Sequence, residues 1–355
     1  MVFVLLILVL WCRFSTPAAD WYAQHLYPGI SRVLTWLASP FGFSLTEIVI
    51  ALAAVALIIR VIRIFRDRQH WKKRLWRAVR LLLWAYVWFY AAWGINYSRS
   101  SLYSRLGATP MPYEEEEFRE FLAVFSRELN ASWCPQDILM TVDPKEYGKA
   151  IKSWYDALPE ESGLCKPCRW QNPKRTVFNP LYSAVGVLGF IGPVFDEMHL
   201  NRDITPLEYP FVYVHEYSHV LGVTNEAEAN YWAFEATRTS HLQPVRYSGW
   251  YMLLHFCWNN IHSLLGDEEF HAWADTLRPE ILEDMQRTKD YWQDKRLVGL
   301  QKIQKRFYDL FLRSNGIADG TKNYSQVLRM VLTFSDLHGD ACPGDETDES
   351  HGEER

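Results

Sequence analysis

The sequence predicts a mainly α protein: membrane-type apolar helices first, then an α+β body with a small sheet and a helical C-terminal half. Three observations lead there. The long apolar runs are confined to the first hundred of 355 residues. One stretch, 177–201, mixes valines and glycines in strand-like alternation. From Pro206 onward the apolar spacing is almost wholly helical.

The elements follow in chain order. Residues 1–11 (MVFVLLILVLW) are apolar but short of the ~20 residues a span needs. They read as a short or frayed membrane helix. A signal peptide is the rival reading; no basic residue precedes Arg13, although TPAAD at 16–20 loosely resembles a cleavage site. Residues 45–64 (LTEIVIALAAVALIIRVIRI) form a clearer span, and 81–95 (LLLWAYVWFYAAWGI) a third that ends in aromatic residues. Between the last two lie Arg60, Arg63, Arg66, Arg68, Lys72, Lys73, Arg74, Arg77 and Arg80, opposed only by Asp67. Positive charge stays on the cytoplasmic side, so everything after about residue 98 is expected outside the cytoplasm. The 16 Trp, 19 Tyr and 19 Phe suit a protein with bilayer interfaces. A mean hydropathy of -0.18 leaves most of the chain facing water.

The expected organisation is therefore a multi-pass cell-membrane protein in contact with the lipid bilayer. Residues 1–98 form the anchor, with about three transmembrane helices, and 99–335 an extracytoplasmic domain. Residues 336–355 (DLHGDACPGDETDESHGEER) form an acidic tail too poor in apolar residues to fold. A net charge of -5 gives no hint of nucleic-acid binding, and none is expected.

In the body, a helix is expected from Tyr113 to about Asn130, then a loop-rich stretch at 131–175 carrying five prolines. The strands of 177–201 are expected to edge a cleft. Helices follow at about 207–221, 226–239, 246–265, 267–275, 278–294, 297–314 and 322–334. Cys165 and Cys168 have the spacing of a redox or zinc-knuckle pair, but no second CxxC completes a four-thiolate site. A local disulfide is the expectation outside the cytoplasm.

The chemistry concentrates in HEYSHVLGVTNEAEAN, residues 215–230. Positions i and i+4 of a helix share a face, so His215 and His219 present two imidazoles to one point. Glu216 stands one step around. This is the HExxH arrangement, in which both histidines bind zinc and the glutamate acts as general base. Neutral imidazoles suit Zn²⁺, and a catalytic site keeps one position open for water. Pro210 is tolerated in a first turn, and Gly222 is a natural C-terminal stop. The motif also arises by chance, so the third ligand matters. Asn225 is a good N-cap, which gives Glu228 a capping-box role at N3. Glu226 has no such duty and is preferred as ligand, with Glu228 as the alternate. Asn230 lies one turn on, placed to orient a histidine as an outer partner. His199, His255 and His262 are weaker candidates. Glu197 with His199 is a minority choice for lining the cleft, and Tyr324 and Arg329 for an oxyanion.

With those residues in hand, the chain resembles an uncharacterised bacterial membrane family, domain of unknown function 3810. The resemblance rests on WYAQHLYPGISRVLTWL, WGINYSR, GVLGFIGPVFDEMH, HEYSHVLG with NEAEANYWAF, and FLRSNG with NYSQVLRMVL. It implies a gluzincin-type, zincin-like α+β metallopeptidase domain carried on three membrane helices. Its pattern falls on His215, Glu216, His219 and the run from Glu226 to Asn230. The short first apolar segment departs from that pattern.

The expected function is a membrane-anchored zinc metallopeptidase acting on protein or peptide in the cell envelope. Two alternatives stay open: a zinc amidase acting on an envelope polymer, and a non-catalytic scaffold or metal sensor. The intact Glu216 argues against the last, because a binding-only site needs no base.

Overall fold

The computed structural model describes residues 1–66, 68–111, 115–315 and 324–335. The chain is mainly helical with one three-stranded sheet. The N-terminal part runs α1 (Val2–Arg13), α2 (Thr16–Trp21), a π-helical turn (Tyr22–Leu26) and α3 (Tyr27–Ala38). Then come α4 (Leu45–Arg66) and α5 (Trp71–Ala92), which pair as a hairpin.

Among the described residues, α4 alone is long and apolar enough to cross a membrane, and no residue of its apolar window is buried. At 1.5 Å per residue its 22 residues extend about 33 Å, matching a hydrocarbon core of roughly 30 Å. The first apolar run meets that test only if α1 and the helix through Ala38 are one span, bent by 106°. The third run is the second half of α5. Lys72, Lys73, Arg74, Arg77 and Arg80 fill that helix's first half, so α5 does not meet the test.

The body holds α6 (Leu102–Arg105), α7 (Glu115–Ser132), α8 (Gln136–Leu139) and α9 (Pro144–Asp156). Phe118, Phe121, Leu122, Phe125 and Leu129 recur at helical spacing along α7, and all are buried. Helix α9 corrects the loop-rich reading of 131–175. Asp143 accepts from the amides of Lys145 (2.8 Å) and Glu146 (2.9 Å), and Pro144 occupies the first helical position. That proline starts a helix rather than ending one.

Next come β1 (Lys174–Arg175), α10 (Asn179–Val185), β2 (Gly189–Gly192) and β3 (Glu197–Leu200). The strand order is β1-β3-β2, with β1 parallel and β2 antiparallel to β3. The first half of the predicted strand region is therefore helix; Pro180 sits in the opening turn of α10. The C-terminal half is α11 (Tyr209–Val220), α12 (Glu226–Arg238), α13 (Gln243–Ala274), α14 (Pro279–Lys295), α15 (Val298–Ser314) and α16 (Tyr324–Phe334). The two helices expected at 246–265 and 267–275 meet at Gly266, whose φ of +74° breaks α13 where the sequence suggested. The acidic tail and Cys342 lie outside the described residues.

The sheet is joined to the start of α4. Glu197 of β3 accepts from the amides of Leu45 (3.2 Å) and Thr46 (2.8 Å), while Ser44 Oγ accepts from the amide of Glu47 (3.0 Å). Three of the four orphan amides of the helix N-terminus are thereby satisfied, two by a carboxylate that suits the positive end of the helix dipole. Glu47 in turn accepts from the amides of Val177 (2.6 Å) and Phe178 (3.2 Å) and from Tyr182 Oη (2.8 Å). His199 Nε2 lies 2.7 Å from Ser44 Oγ, and its ring stacks on Phe190. Glu197 and His199 thus hold the helix joint, and the cleft-lining role considered for them is not what their contacts serve.

Cys165 and Cys168 are free thiols, which corrects the expected disulfide. Cys165 is buried beside the carbonyl of Ala23, whereas the Cys168 sulfur lies 3.9 Å from Thr35 Oγ1. The two side chains engage different N-terminal segments.

Candidate metal centre

Helices α11 and α12 lie in the core and are buried on nearly every face, polar side chains such as Glu216, His219, Glu228 and Asn230 included. A Thr205–Glu208 pair precedes α11: the Glu208 carboxylate accepts from Thr205 Oγ1 (2.7 Å) and the Thr205 amide (3.1 Å), and Glu208 N donates back to Thr205 Oγ1 (3.3 Å). After Val220 the chain reverses within five residues. Gly222 adopts φ +96°, which favours glycine, and a Cβ there would meet Tyr27 and Arg99 tightly at 3.1–3.2 Å. Asn225 then caps α12, accepting from the amides of Ala227 (2.8 Å) and Glu228 (3.1 Å).

This reversal returns Glu226 to the face of α11 that carries the histidines. His215 Nε2 and His219 Nε2 are 3.2 Å apart. Glu226 Oε2 lies 3.3 Å from the first and 3.9 Å from the second. His219 Nδ1 donates to the Val223 carbonyl at 2.8 Å, which fixes the tautomer and aims the Nε2 lone pair at Glu226. Asn230 contacts His215 and favours its charged form. Glu216 is buried beside them, and its Oε2 meets no hydrogen-bond partner.

The cluster has the donor types and the size of a cation site. Zinc–nitrogen and zinc–oxygen bonds of about 2.0–2.1 Å in a tetrahedron put neighbouring donors about 3.3–3.4 Å apart. Two of the three separations are close to that, and the third requires a shift of about half an ångström on the same scale. Side-chain exposures of 15% for His215 and 27% for Glu226 leave one side open.

The electrostatics are those of a desolvated, tightly coupled group. Burial opposes charge on Glu226, but the His215 hydrogen bond, both imidazoles and the Tyr308 hydroxyl outweigh it and bring the carboxyl down to about 2. Burial pushes Glu216 up to about 8; His215 lowers it and Glu226 raises it further. Burial also lowers His219, whereas the pull of Glu226 and Glu216 on His215 overcomes burial and raises it.

Glu228 turns away from the cluster. It pairs with Arg105 and accepts from Trp232 Nε1 (3.3 Å), and the ion pair is buried, with side-chain exposures of 9% and 6%. The capping-box role expected of it is not taken; its carboxylate is held by the arginine instead.

Sequence reasoning missed three neighbours. Tyr308 of α15 donates to Glu226 Oε1 at 2.5 Å. Trp93 Nε1 donates to the carbonyl of His219 at 3.0 Å. Gly189 of β2 abuts Glu216: a Cβ there would come within 2.5–2.6 Å of its Cγ, Cδ and Oε1. None is near the motif in sequence. Only Gly189, an isolated glycine in a strand pattern, carries the usual sign of close backbone approach. The side chain of Tyr324 is outside the described residues, and Arg329 lies near Tyr103.

Fold and cluster together define a mainly helical protein with one membrane-length apolar helix and a buried His-His-Glu group beside an unpartnered glutamate. Residues 22–332 match the family described as protein of unknown function DUF3810, and the chain belongs to it. No curated protein and no solved structure matches the chain.

Proposed function

We propose that this protein is a membrane-anchored, zinc-dependent metallopeptidase of the HExxH-plus-glutamate type. The observation that carries the reading is the convergence of His215 Nε2, His219 Nε2 and Glu226 Oε2 beside the buried, unpartnered carboxylate of Glu216. The three converging side chains hold the metal, and the fourth is the base. Zinc, when bound, supplies a Lewis acid and an acidified water. Glu216 takes up the proton of that water and passes it to the leaving amine. Its burial beside the cluster, with Oε2 free of any hydrogen-bond partner, leaves that oxygen available to take up and pass on a proton. Val223 keeps His219 in place and Tyr308 keeps Glu226 in place, while Asn230 lies beside His215.

Strand β2 supports a peptide substrate. It is an edge strand of the sheet, and its Gly189 lies against Glu216. An extended peptide added to that edge would gain main-chain hydrogen bonds and pass beside the base.

The anchor reading joins α4 to the apolar parts of α1 and α5 as membrane helices. The basic turn between α4 and α5 is at the end of the hairpin remote from the sheet joint, so the positive-inside rule places the cluster outside the cytoplasm.

The test is metal content of the full chain purified in detergent, alongside hydrolysis of unstructured peptides. One zinc per chain is expected, lost in Glu226→Ala and kept in Glu216→Gln and Glu228→Gln, with hydrolysis lost in Glu216→Gln. Zinc without hydrolysis of peptides, but with release of fragments from an envelope polymer, would select the amidase. Zinc with neither would leave a sensor or scaffold, and folded protein without zinc would end the proposal.

A further inference from the structure

Helix α15 has three faces rather than two. Tyr308 and Leu312 face the body; Leu312 is fully buried. On the other side stand Ile303, Phe307 and Leu310, exposed by 53%, 70% and 64%. At about 100° per residue these three fall within an arc of about 60°. Exposed Lys302 and Arg306 flank the arc. No described residue covers this stripe.

Three observations identify what does. The first is continuity with the membrane hairpin. At the end of α15, Tyr90 of α5 donates to Asn315 Oδ1 (2.6 Å), Phe89 packs edge-on against Phe311 (5.9 Å), and Arg13 reaches the carbonyl of Ser314. At its start, the amide of Leu297 donates to the carbonyl of Ala184 at the end of α10 (2.8 Å). Helix α10 exposes Leu181 beside Phe178, whose amide is held by Glu47 in the first turn of α4. Both ends of α15 therefore rest on the end of the α4–α5 hairpin where α4 joins the body. The second is charge: a basic flank beside an apolar stripe suits anionic headgroups. The third is the composition of the C-terminal tail. Residues 336–355 are acidic and contain Leu337 as their one large aliphatic residue, which is no match for an apolar stripe.

We propose that α15 is an interfacial helix, seated in the extracytoplasmic surface of an anionic bilayer beside α4. Ile303, Phe307 and Leu310 enter the boundary between headgroups and acyl chains, and Lys302 and Arg306 stay among the headgroups. This rests on α4 crossing the membrane, and it deepens the peptidase reading. Tyr308 leaves the same helix on the side away from lipid and holds Glu226, so the cluster sits about one helix diameter, roughly 10 Å, from the bilayer. The substrate class that fits is a peptide segment held at the membrane surface, such as the stretch flanking another protein's span.

The experiment is site-specific photo-crosslinking of the full chain in vesicles of phosphatidylcholine and phosphatidylglycerol. A benzophenone side chain replaces, one at a time, Phe307, Leu310, Leu52 on the exposed face of α4, and Glu283 on α14. Mass analysis is expected to find lipid adducts at 307, 310 and 52 and none at 283. Lipid at 52 but not at 307 or 310 overturns the seating and leaves the span. Chain-to-chain adducts at 307 make the stripe a contact between copies, which also overturns it. No lipid at 52 refutes the span on which the proposal rests, and lipid labelling at 283 equal to that at 307 and 310 overturns the seating, because α15 is then no nearer the bilayer than α14.

Discussion

Arg105 and Glu228 form a buried pair whose loss separates the two glutamates of the α12 first turn. Arg105 also donates through Nε to the Ser162 carbonyl (2.9 Å) and through Nη1 to the Ser100 carbonyl (2.6 Å), so its position is fixed independently of Glu228. Arg105→Met leaves an uncompensated carboxylate in the core, and Glu228→Met an uncompensated guanidinium. Breaking one partner of a buried pair costs about 3–5 kcal/mol. At roughly 2 °C per kcal/mol for a chain of this size, each single variant is expected to melt about 6–10 °C lower in detergent. The double variant removes both charges and is expected to lose clearly less than the sum, because methionines of similar length fill the space. Zinc content should stay at the wild-type level in the double variant, since Glu226 and both histidines are untouched. The readouts are a thermal-shift series and elemental analysis on the same preparations. Strictly additive losses of stability would refute the pairing. Loss of zinc in a well-folded Glu228→Met variant would move the ligand role from Glu226 to Glu228.

Two further outcomes follow from geometry. Gly189→Ala forces its new Cβ against the carboxylate of Glu216, where contacts of 2.5–2.6 Å need nearly an ångström of relief; zinc should be retained while peptide hydrolysis falls about 100-fold, the usual effect of a 1 Å misplacement. Asp196 is buried between Tyr27 and Ser31, and burial raises its carboxyl to about 7, with the two hydroxyls working against the rise. A folded-state value above the unfolded 3.8 means that its protonation stabilises the fold fully below about pH 4, and that this contribution is lost as pH rises through about 7. Asp196→Asn, which tolerates the positive φ of 54° at this position, should melt higher than wild type at pH 8 and approach it near pH 4. An unchanged difference across that range would show that Asp196 is ionised throughout.

Much of the helical half was legible because its signals are local. The caps and stops of α11 and α12 are Pro210, Gly222 and Asn225, all within fifteen residues, and they determine where Glu226 returns. What failed was also local in appearance but decided elsewhere. Pro144 reads as a breaker until Asp143 is seen to cap the helix it begins. Glu228 stands at the right spacing for a capping box, yet Arg105, 123 positions earlier, takes its carboxylate. The Cys165–Cys168 spacing permits a local bond, but Ala23 and Thr35 engage the two sulfurs separately. In each case a long-range partner outweighed a short-range preference, and a single sequence carries no record of which distant residue arrives.

The same limit explains why the joint between α4 and the sheet was invisible, and that joint matters most for function. A membrane helix linked to a body by a loose tether leaves a site free to tilt and swing. Here the first three amides of α4 are held by Glu197 and Ser44, and Glu47 on the same turn holds the start of α10. β3 carries Glu197, pairs along its whole length with β2, and β2 lays Gly189 against Glu216. Three short links therefore run from the start of α4 to the candidate base, each through hydrogen-bonded backbone or a buried carboxylate. The interfacial seating proposed for α15 adds a second route, from the bilayer surface through Tyr308 to Glu226. With α4 as the proposed span and α15 as the proposed interfacial helix, two connections to the membrane hold the cluster at one height above it. On the proposed peptidase reading, an enzyme held in this way selects its substrate by distance from the bilayer as much as by side chain.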